Sequence, residues 1–492
     1  VTVDALVAAG IAEHQRGAYG AAIGAFARAL QIDATHPIAG VNLGITLIAV
    51  GGADDAAAVL ATIVAAHPEV AEARVVLGDA LRILRRDQEA EDQARAALAS
   101  APQSAEARML YAQLAYERGD FAAAERWSRE AAVLLPERAQ PLSNLGVIAH
   151  GLGRVDDAIA YARGAVALAP DDPSTHGNLA MSLLLGGQYR EGFAELEWRT
   201  RESRSLAHYA RAGLPPRWTG APLDGGTLLV TRDQGLGDFI LFSRFFPLLQ
   251  ARGIRIAVEI PESLFALYAD HPWIDEPLNG PCLDAERLAA FAAHVPLFSI
   301  PSLLDIDAPV VPSRPYLQGN IAKKSSWRER FAALPGVRVG IVWAGDPGHP
   351  LDRFRSLPLA ELEPFAQVDG VSLVALQHGP RAADSRDAAF AVMSIGDELR
   401  DFSDTAAALA ALDLVITVDT SVAHLAGAMG LPVWVLHGFG NFWLWGTERE
   451  RTPWYPTMRM FRQATPGVWD AEIADVAAAL RVRGECSTGW TA

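Results

Sequence analysis

Two stretches place chemistry-bearing residues where an apolar run turns into a helix. In "DQGLGDFILFSRFFPLL" (233–249), Gln234, Gly235, Gly237 and Asp238 follow directly on the apolar "TLLVT" (227–231). Glycines at a strand-to-helix turn gather backbone N–H groups and a helix dipole, which suits a phosphate. A carboxylate there repels phosphate, and a helix amino terminus keeps it ionised, which suits a general base. The plainer alternative is an N-cap aspartate with glycines serving only the turn. In "VDTSVAHLAGAMGLP" (418–432), the run "LVITV" ends at Asp419, Thr420 and Ser421 stand at a helix start, and His424 falls one turn inside. Hydroxyls and free N–H groups there can surround a diphosphate, and His424 can donate to a phosphate or sugar oxygen. The alternative is simple capping by Asp419 or Thr420, with His424 a packed surface residue. A third loop, "DPGHPLDRFRSLP" (346–358), carries Arg353 and Arg355, which can neutralise a leaving diphosphate. His349 and His378 read as ordinary loop residues. Trp443, Trp445, Trp454 and Tyr455 read as packing under a sheet, with stacking on a base or sugar as the alternative.

These residues need a scaffold, and short apolar runs alternating with helical segments supply one. The runs are 227–231, 255–260, 337–345, 371–377, 414–418 and 432–438, with helices expected from about Phe239, Pro261, Pro358 and Ser421 and through 405–412. Such alternation predicts two parallel sheets covered on both faces, joined near "PYLQGNIAKKSSWRER" (315–330). In sheets of this kind chemistry belongs at the carboxyl ends of the strands. That rule places Gly345, Arg353, Arg355, Ser356, Gln377, Asp419, Thr420, Ser421 and His424, with Trp343 just before them, among the candidate ligand-binding residues. Gln234, Gly235 and Gly237 form the loop around Asp238 at the end of the first run. No Asp-x-Asp motif occurs in these loops, so the reading is metal-independent.

The front of the chain repeats. The pairs Ala9-Gly10, Leu43-Gly44, Leu77-Gly78, Tyr111-Ala112, Leu145-Gly146 and Leu179-Ala180 step by 34 residues. So do Gly17, Gly51, Arg85, Gly119, Gly153 and Gly187, then Ala22, Ala56, Ala90, Ala124, Ala158 and Gly192, with Pro68, Pro102, Pro136 and Pro170 closing the inner repeats. Small residues let two helices of a hairpin approach, glycine turns between them, and proline ends the second. The pattern resembles the tetratricopeptide repeat over about six copies. The resemblance implies a solenoid whose concave face takes an extended peptide or protein; bracing of the next domain or dimerisation is the alternative, so a homo-oligomer is compatible.

The remainder carries a second resemblance. "DTSVAHLAGAMGLPVWVLHG" is similar to the Asp-Thr-x-x-x-His-x-Ala-x-x-x-Gly-x-Pro segment of heptosyltransferase-like glycosyltransferases of GT-B fold. "EWR" (197–199), "QGLGD", "GIVWAGDPGH", "DRFRSLPL", "LQHGP", "VDTSVAH" and "PWYP" together resemble bacterial fusions of tetratricopeptide repeats with such a transferase, a set that includes flagellin-modifying enzymes. The resemblance implies an α-solenoid (1–199), a linker (200–226), and a GT-B fold of two Rossmann-like domains, acceptor-side (227–325) and nucleotide-sugar-binding (326–492). It implies an inverting glycosyltransferase with a nucleotide-sugar as substrate and no cofactor, acting on a protein acceptor held by the repeats, with Asp238 as catalytic base, Gln234, Gly235 and Gly237 as its acceptor-side loop, and Trp343, Gly345, Arg353, Arg355, Ser356, Gln377, Asp419, Thr420, Ser421 and His424 as the donor-binding set. A repeat scaffold with an inactive transferase domain is the alternative.

Composition fits a folded protein and narrows its partners. Half of the 492 residues are apolar and 20% charged, with a net charge of −16. That acidity disfavours nucleic acid and anionic lipid as partners. Cys282 and Cys486 match no metal spacing, and no stretch reads as a signal peptide or membrane span, so a cytoplasmic location is expected.

Overall fold

The computed structural model describes residues 2–201, 211–282, 284–310, 312, 314–348 and 352–485. His349 and Cys486 lie outside them. The chain divides into two compact units: Val1–Leu152 with Asp156–Thr175, and Gly153–Val155 with His176–Ala492.

Antiparallel helical hairpins build the first unit, beginning with Val3–Gln15 and Tyr19–Ile32. The repeated alanines Ala22, Ala56, Ala90 and Ala124 are fully buried, as small residues between packed helices should be. The turn series adopts left-handed backbone throughout: Gly17, Gly51 and Gly119 have φ of 74°, 86° and 80°, and Arg85, at the same register, has φ of 62°. An arginine tolerates that conformation at a cost of about 1–2 kcal/mol, so the turn geometry overrides the residue type. The second helices end at Ala66, Ser100 and Leu134, two residues before Pro68, Pro102 and Pro136.

The division cuts the first helix of the sixth repeat, Pro173–Leu185, after Thr175, and the second helix, Tyr189–Leu196, lies wholly in the second unit. The compact division therefore falls inside that repeat rather than at 199. Phe193 explains this, because its ring meets Phe242 and Trp443 edge-on at 6.3 and 5.9 Å.

Two all-parallel sheets follow. The first has the order β3-β2-β1-β4, with β1 (Thr227–Thr231), β2 (Arg255–Ile260), β3 (Glu276–Asn279) and β4 (Ala293–Pro296). The second has the order β10-β9-β8-β5-β6-β7, with β5 (Val337–Val342), β6 (Val371–Ala375), β7 (Met393–Ser394), β8 (Leu414–Val418), β9 (Val433–His437) and β10 (Met458–Arg462). Their central strands are apolar because helices cover both faces, leaving β8 buried along its whole length. The helix expected from Pro358 is instead a 3-10 turn, Leu359–Leu362, and a short helix, Glu363–Ala366. Pro364 has no N–H to continue a helical ladder across that junction. The segment expected to join the sheets contains the helix Ile321–Phe331, which crosses the 325/326 division.

Strand order reverses between β1 and β4 in one sheet and between β5 and β8 in the other. Crevices at such reversals, outside the carboxyl ends of the strands, are where parallel α/β sheets bind ligands. The loops after β1, β5 and β8 occupy these positions.

Candidate functional site

β1 runs out at Thr231, and the chain turns through Gln234 (φ 60°) into the helix Leu236–Phe242. The strained left-handed residue is thus Gln234 and not a glycine. Gly235 is extended and precedes the helix, and its N–H donates to Asp238 Oδ2 at 3.1 Å. Asp238 is therefore not the N-cap; it sits in the first turn and reaches back to the residue before the helix. Its half-buried carboxyl is pushed up to about 6 by desolvation, opposed by the Gly235 hydrogen bond and reinforced by the charges of Asp419 and Asp233. Burial thus works against the helix terminus, which was expected to keep the carboxylate ionised. The new value places it close to neutrality, which suits a base better.

Gly237 serves contact between the two sheets' loops. A Cβ there would lie 2.7 Å from His424 Cδ2 and 3.4 Å from Nε2, so the imidazole packs directly on the turn that carries Asp238. His424 is 4% exposed, stacks on Trp445 with centroids 4.8 Å apart, and places Nδ1 3.1 Å from the Tyr455 hydroxyl. It is not a surface residue. Burial first and the Arg244 charge second push its pKa down to about 3, leaving it neutral.

The helix Ser421–Ala428 begins where the sequence indicates. Thr420 has N-cap backbone geometry, yet its hydroxyl meets Thr417 Oγ1 at 3.1 Å and caps nothing. The Thr420 side chain thus leaves the helix start to its own N–H groups, which gather where an anion is attracted.

Arg355 braces this helix start. Its Nη1 donates to the Asp419 carbonyl at 3.1 Å and its Nε to Asp352 at 3.1 Å, while the guanidinium lies flat on Gly345, where any Cβ would come within 2.5 Å of it. Ser356 Oγ accepts from the Gly345 N–H at 2.9 Å and donates to Asp352 at 2.8 Å. Gln377 is buried and bonds the N–H groups of Trp343 and Ala344 and the carbonyls of Ala344 and His378. Trp343 Nε1 donates to Asp384 at 3.1 Å. Trp343, Ser356 and Gln377, read from sequence as ligand contacts, thus spend these polar side-chain groups shaping the loops after β5 and β6. Arg353 is exposed, its guanidinium 4.8 Å from the Phe354 ring centroid.

Several residues here were not singled out from sequence. Arg244, 1% exposed, donates to the carbonyls of Leu241, Val310 and Trp454 and to the Tyr316 hydroxyl, and lies over the rings of Tyr316, Trp454 and Tyr455. A lone arginine in the apolar "FILFSRFF" was the available signal. Trp443, Trp445, Trp454 and Tyr455 are all buried, as packing demands. The "EWR" motif is a joint: Arg199 bonds Glu197, the buried Asp233 and Ser299, and Arg217 bonds Glu197 and Ser299. It ties the ends of β1 and β4 together beside the Asp238 turn. No cluster of three or more His, Cys, Asp or Glu suited to a metal occurs among the described residues, and no described helix is long and apolar enough to cross a membrane.

Comparison with known proteins settles the first unit. The tetratricopeptide repeat family model matches residues 41–105, 88–141 and 129–173. The helical hairpins are a tetratricopeptide-repeat solenoid. Among solved structures, a thermophilic repeat protein of Thermus thermophilus is 24% identical, with a TM-score of 0.36, over 37% of this chain and 100% of that one. PilF of Pseudomonas aeruginosa is 20% identical, with a TM-score of 0.32, over 44% of this chain and 85% of that one. Protein FlbA of Caulobacter vibrioides is 29% identical over 335 residues, covering 61% of this chain and 54% of FlbA. The chain thus spans about half the length of this curated relative. Repeats of this kind bind proteins.

Proposed function

We infer that the α/β unit is a GT-B glycosyltransferase that moves a sugar from a nucleotide-sugar onto a protein captured by the repeats, in the cytoplasm and without metal. The observation that carries this reading is the meeting of two switch-point loops: Asp238, with a carboxyl raised to about 6, on the turn that packs against His424 of the helix Ser421–Ala428. The donor diphosphate lies at the amino end of that helix, with Arg353 nearby in chain and Arg355 holding the Asp419 carbonyl. Asp238 takes the proton from an acceptor hydroxyl, the hydroxyl oxygen bonds to the anomeric carbon, and the nucleoside diphosphate departs with the electron pair of the broken bond. The base and the leaving group stand on different sheets, which favours attack from the face opposite the diphosphate and hence inversion. Flagellin or another surface protein is the acceptor class, resting on the sequence resemblance.

A second reading, a repeat scaffold with an inactive transferase domain, is favoured by the internal commitments of Trp343, Ser356 and Gln377. Calorimetric titration with ADP-, UDP-, GDP- and CMP-sugars separates the two. The enzyme binds one of the panel, and Thr420→Val or His424→Ala weakens that binding by about 1–3 kcal/mol. A scaffold binds none.

A further inference from the structure

His424 can present either an N–H or a lone pair at Nε2, and a count of protons along the chain Arg244, Tyr316, Tyr455, His424 decides which. Tyr316 donates its single proton to the Ile240 carbonyl at 3.1 Å, and its oxygen accepts from Arg244 Nη2 at 3.2 Å. Tyr455 therefore has one proton and two acceptors, His424 Nδ1 at 3.1 Å and the Tyr316 oxygen at 3.5 Å. The shorter contact is ordinary for a hydrogen bond to nitrogen, whereas the longer lies at the outer limit. The Tyr316 oxygen is also the poorer acceptor, since its electron density is already drawn toward the guanidinium. That guanidinium lies 4.7 Å from the centroid of the Tyr455 ring, where a cation strengthens the phenol as a donor. The reverse arrangement, Nδ1–H donating to Tyr455, would force the Tyr455 proton onto the longer contact.

We propose that Arg244 and Tyr455 are positioning residues that fix His424 as the neutral Nε2–H tautomer, so that it offers an N–H donor beside the Gly237 turn. Such a donor recognises an oxygen that can only accept, such as a phosphate oxygen, and rejects a group that needs an acceptor. The choice of phosphate rests on the glycosyltransferase reading; the tautomer does not. Nε2 is the nitrogen on the Gly237 side of the ring and Nδ1 the one on the Tyr455 side.

The test is ¹⁵N NMR of the full chain with labelled imidazoles, the His424 signals being identified by their loss in His424→Gln. Wild type is expected to show a protonated, pyrrole-type Nε2 and a pyridine-type Nδ1. Tyr455→Phe removes the donor and shifts the ring toward Nδ1–H or a mixture, and it weakens binding of the nucleotide-sugar found by calorimetry about five- to tenfold, the loss of one hydrogen bond. Arg244→Gln, if folded, frees the Tyr316 oxygen and shifts the tautomer the same way. A protonated Nδ1 in wild type, or an unchanged tautomer in Tyr455→Phe, would overturn the proposal. The expected tautomers together with no binding of any nucleotide-sugar would sustain the assignment and refute the glycosyltransferase reading instead.

Discussion

Replacing Asp238 by Asn is expected to make the protein more stable while stopping transfer. The carboxyl is raised from 3.8 to about 6, chiefly by desolvation. Between those values the folded protein holds a proton that the unfolded chain has released, so this group's contribution to stability is greatest below about pH 4, falls as pH rises through about 6, and is constant above. A shift of roughly two units corresponds to about 3 kcal/mol of penalty at pH 8, as an upper figure. Asn carries no charge and keeps an oxygen for the Gly235 N–H, although as a weaker acceptor. The Asn variant should therefore gain about 1–3 kcal/mol over wild type at pH 8, and the gain should nearly vanish at pH 4. Urea unfolding followed by tryptophan fluorescence reads the correct unit, because every tryptophan except Trp127 lies within 176–492. An Asn variant equal to or less stable than wild type at pH 8 would refute the reasoning. Asp238 would then be a stabilising link of its own helix and not a strained base.

Other consequences follow from the same contacts. The transfer rate should rise with pH through about 6 as Asp238 loses its proton, and a rate flat from pH 5 to 8 would exclude it as base. Gly237→Ala puts a methyl 2.7 Å from the His424 ring and should cost at least tenfold in donor affinity, measured by calorimetry; wild-type affinity would show that the two loops need not touch. Arg355→Ala removes the brace on the Asp419 carbonyl and should weaken donor binding while lowering the melting temperature of the α/β unit. A chain starting at His176 should fold and bind donor without modifying a protein acceptor. One starting at Arg201 should aggregate, because it loses Tyr189, Phe193 and Leu196 from the core.

What the sequence disclosed follows the range of the forces involved. "LVITV" and the helix from Ser421 coincide with β8 and the observed helix, because apolar run and helix start are local signals. β4 escaped notice because it is only Ala293–Pro296, too short for a pattern and ended by proline. The Asp238 turn was legible from its Gly-Leu-Gly-Asp spacing after an apolar run. Its elevated pKa was not, since that comes from burial and from Asp419, far along the chain. Arg244 was hidden for the same reason, its acceptors at Val310 and Trp454 being 66 and 210 residues away. The repeat register assigned the sixth hairpin to the solenoid, whereas Phe193 commits its second helix to the core around Phe242.

The central claim is that this chain glycosylates a protein, and the intact mass of its acceptor tests it most directly. Flagellin and other surface proteins would be purified from cells lacking the gene and from the same cells given the wild-type or the Asp238→Asn chain. The account predicts one or more sugar masses added only with wild type, while both chains bind the nucleotide-sugar alike. Acceptor masses identical in all three, with donor binding intact, would contradict it.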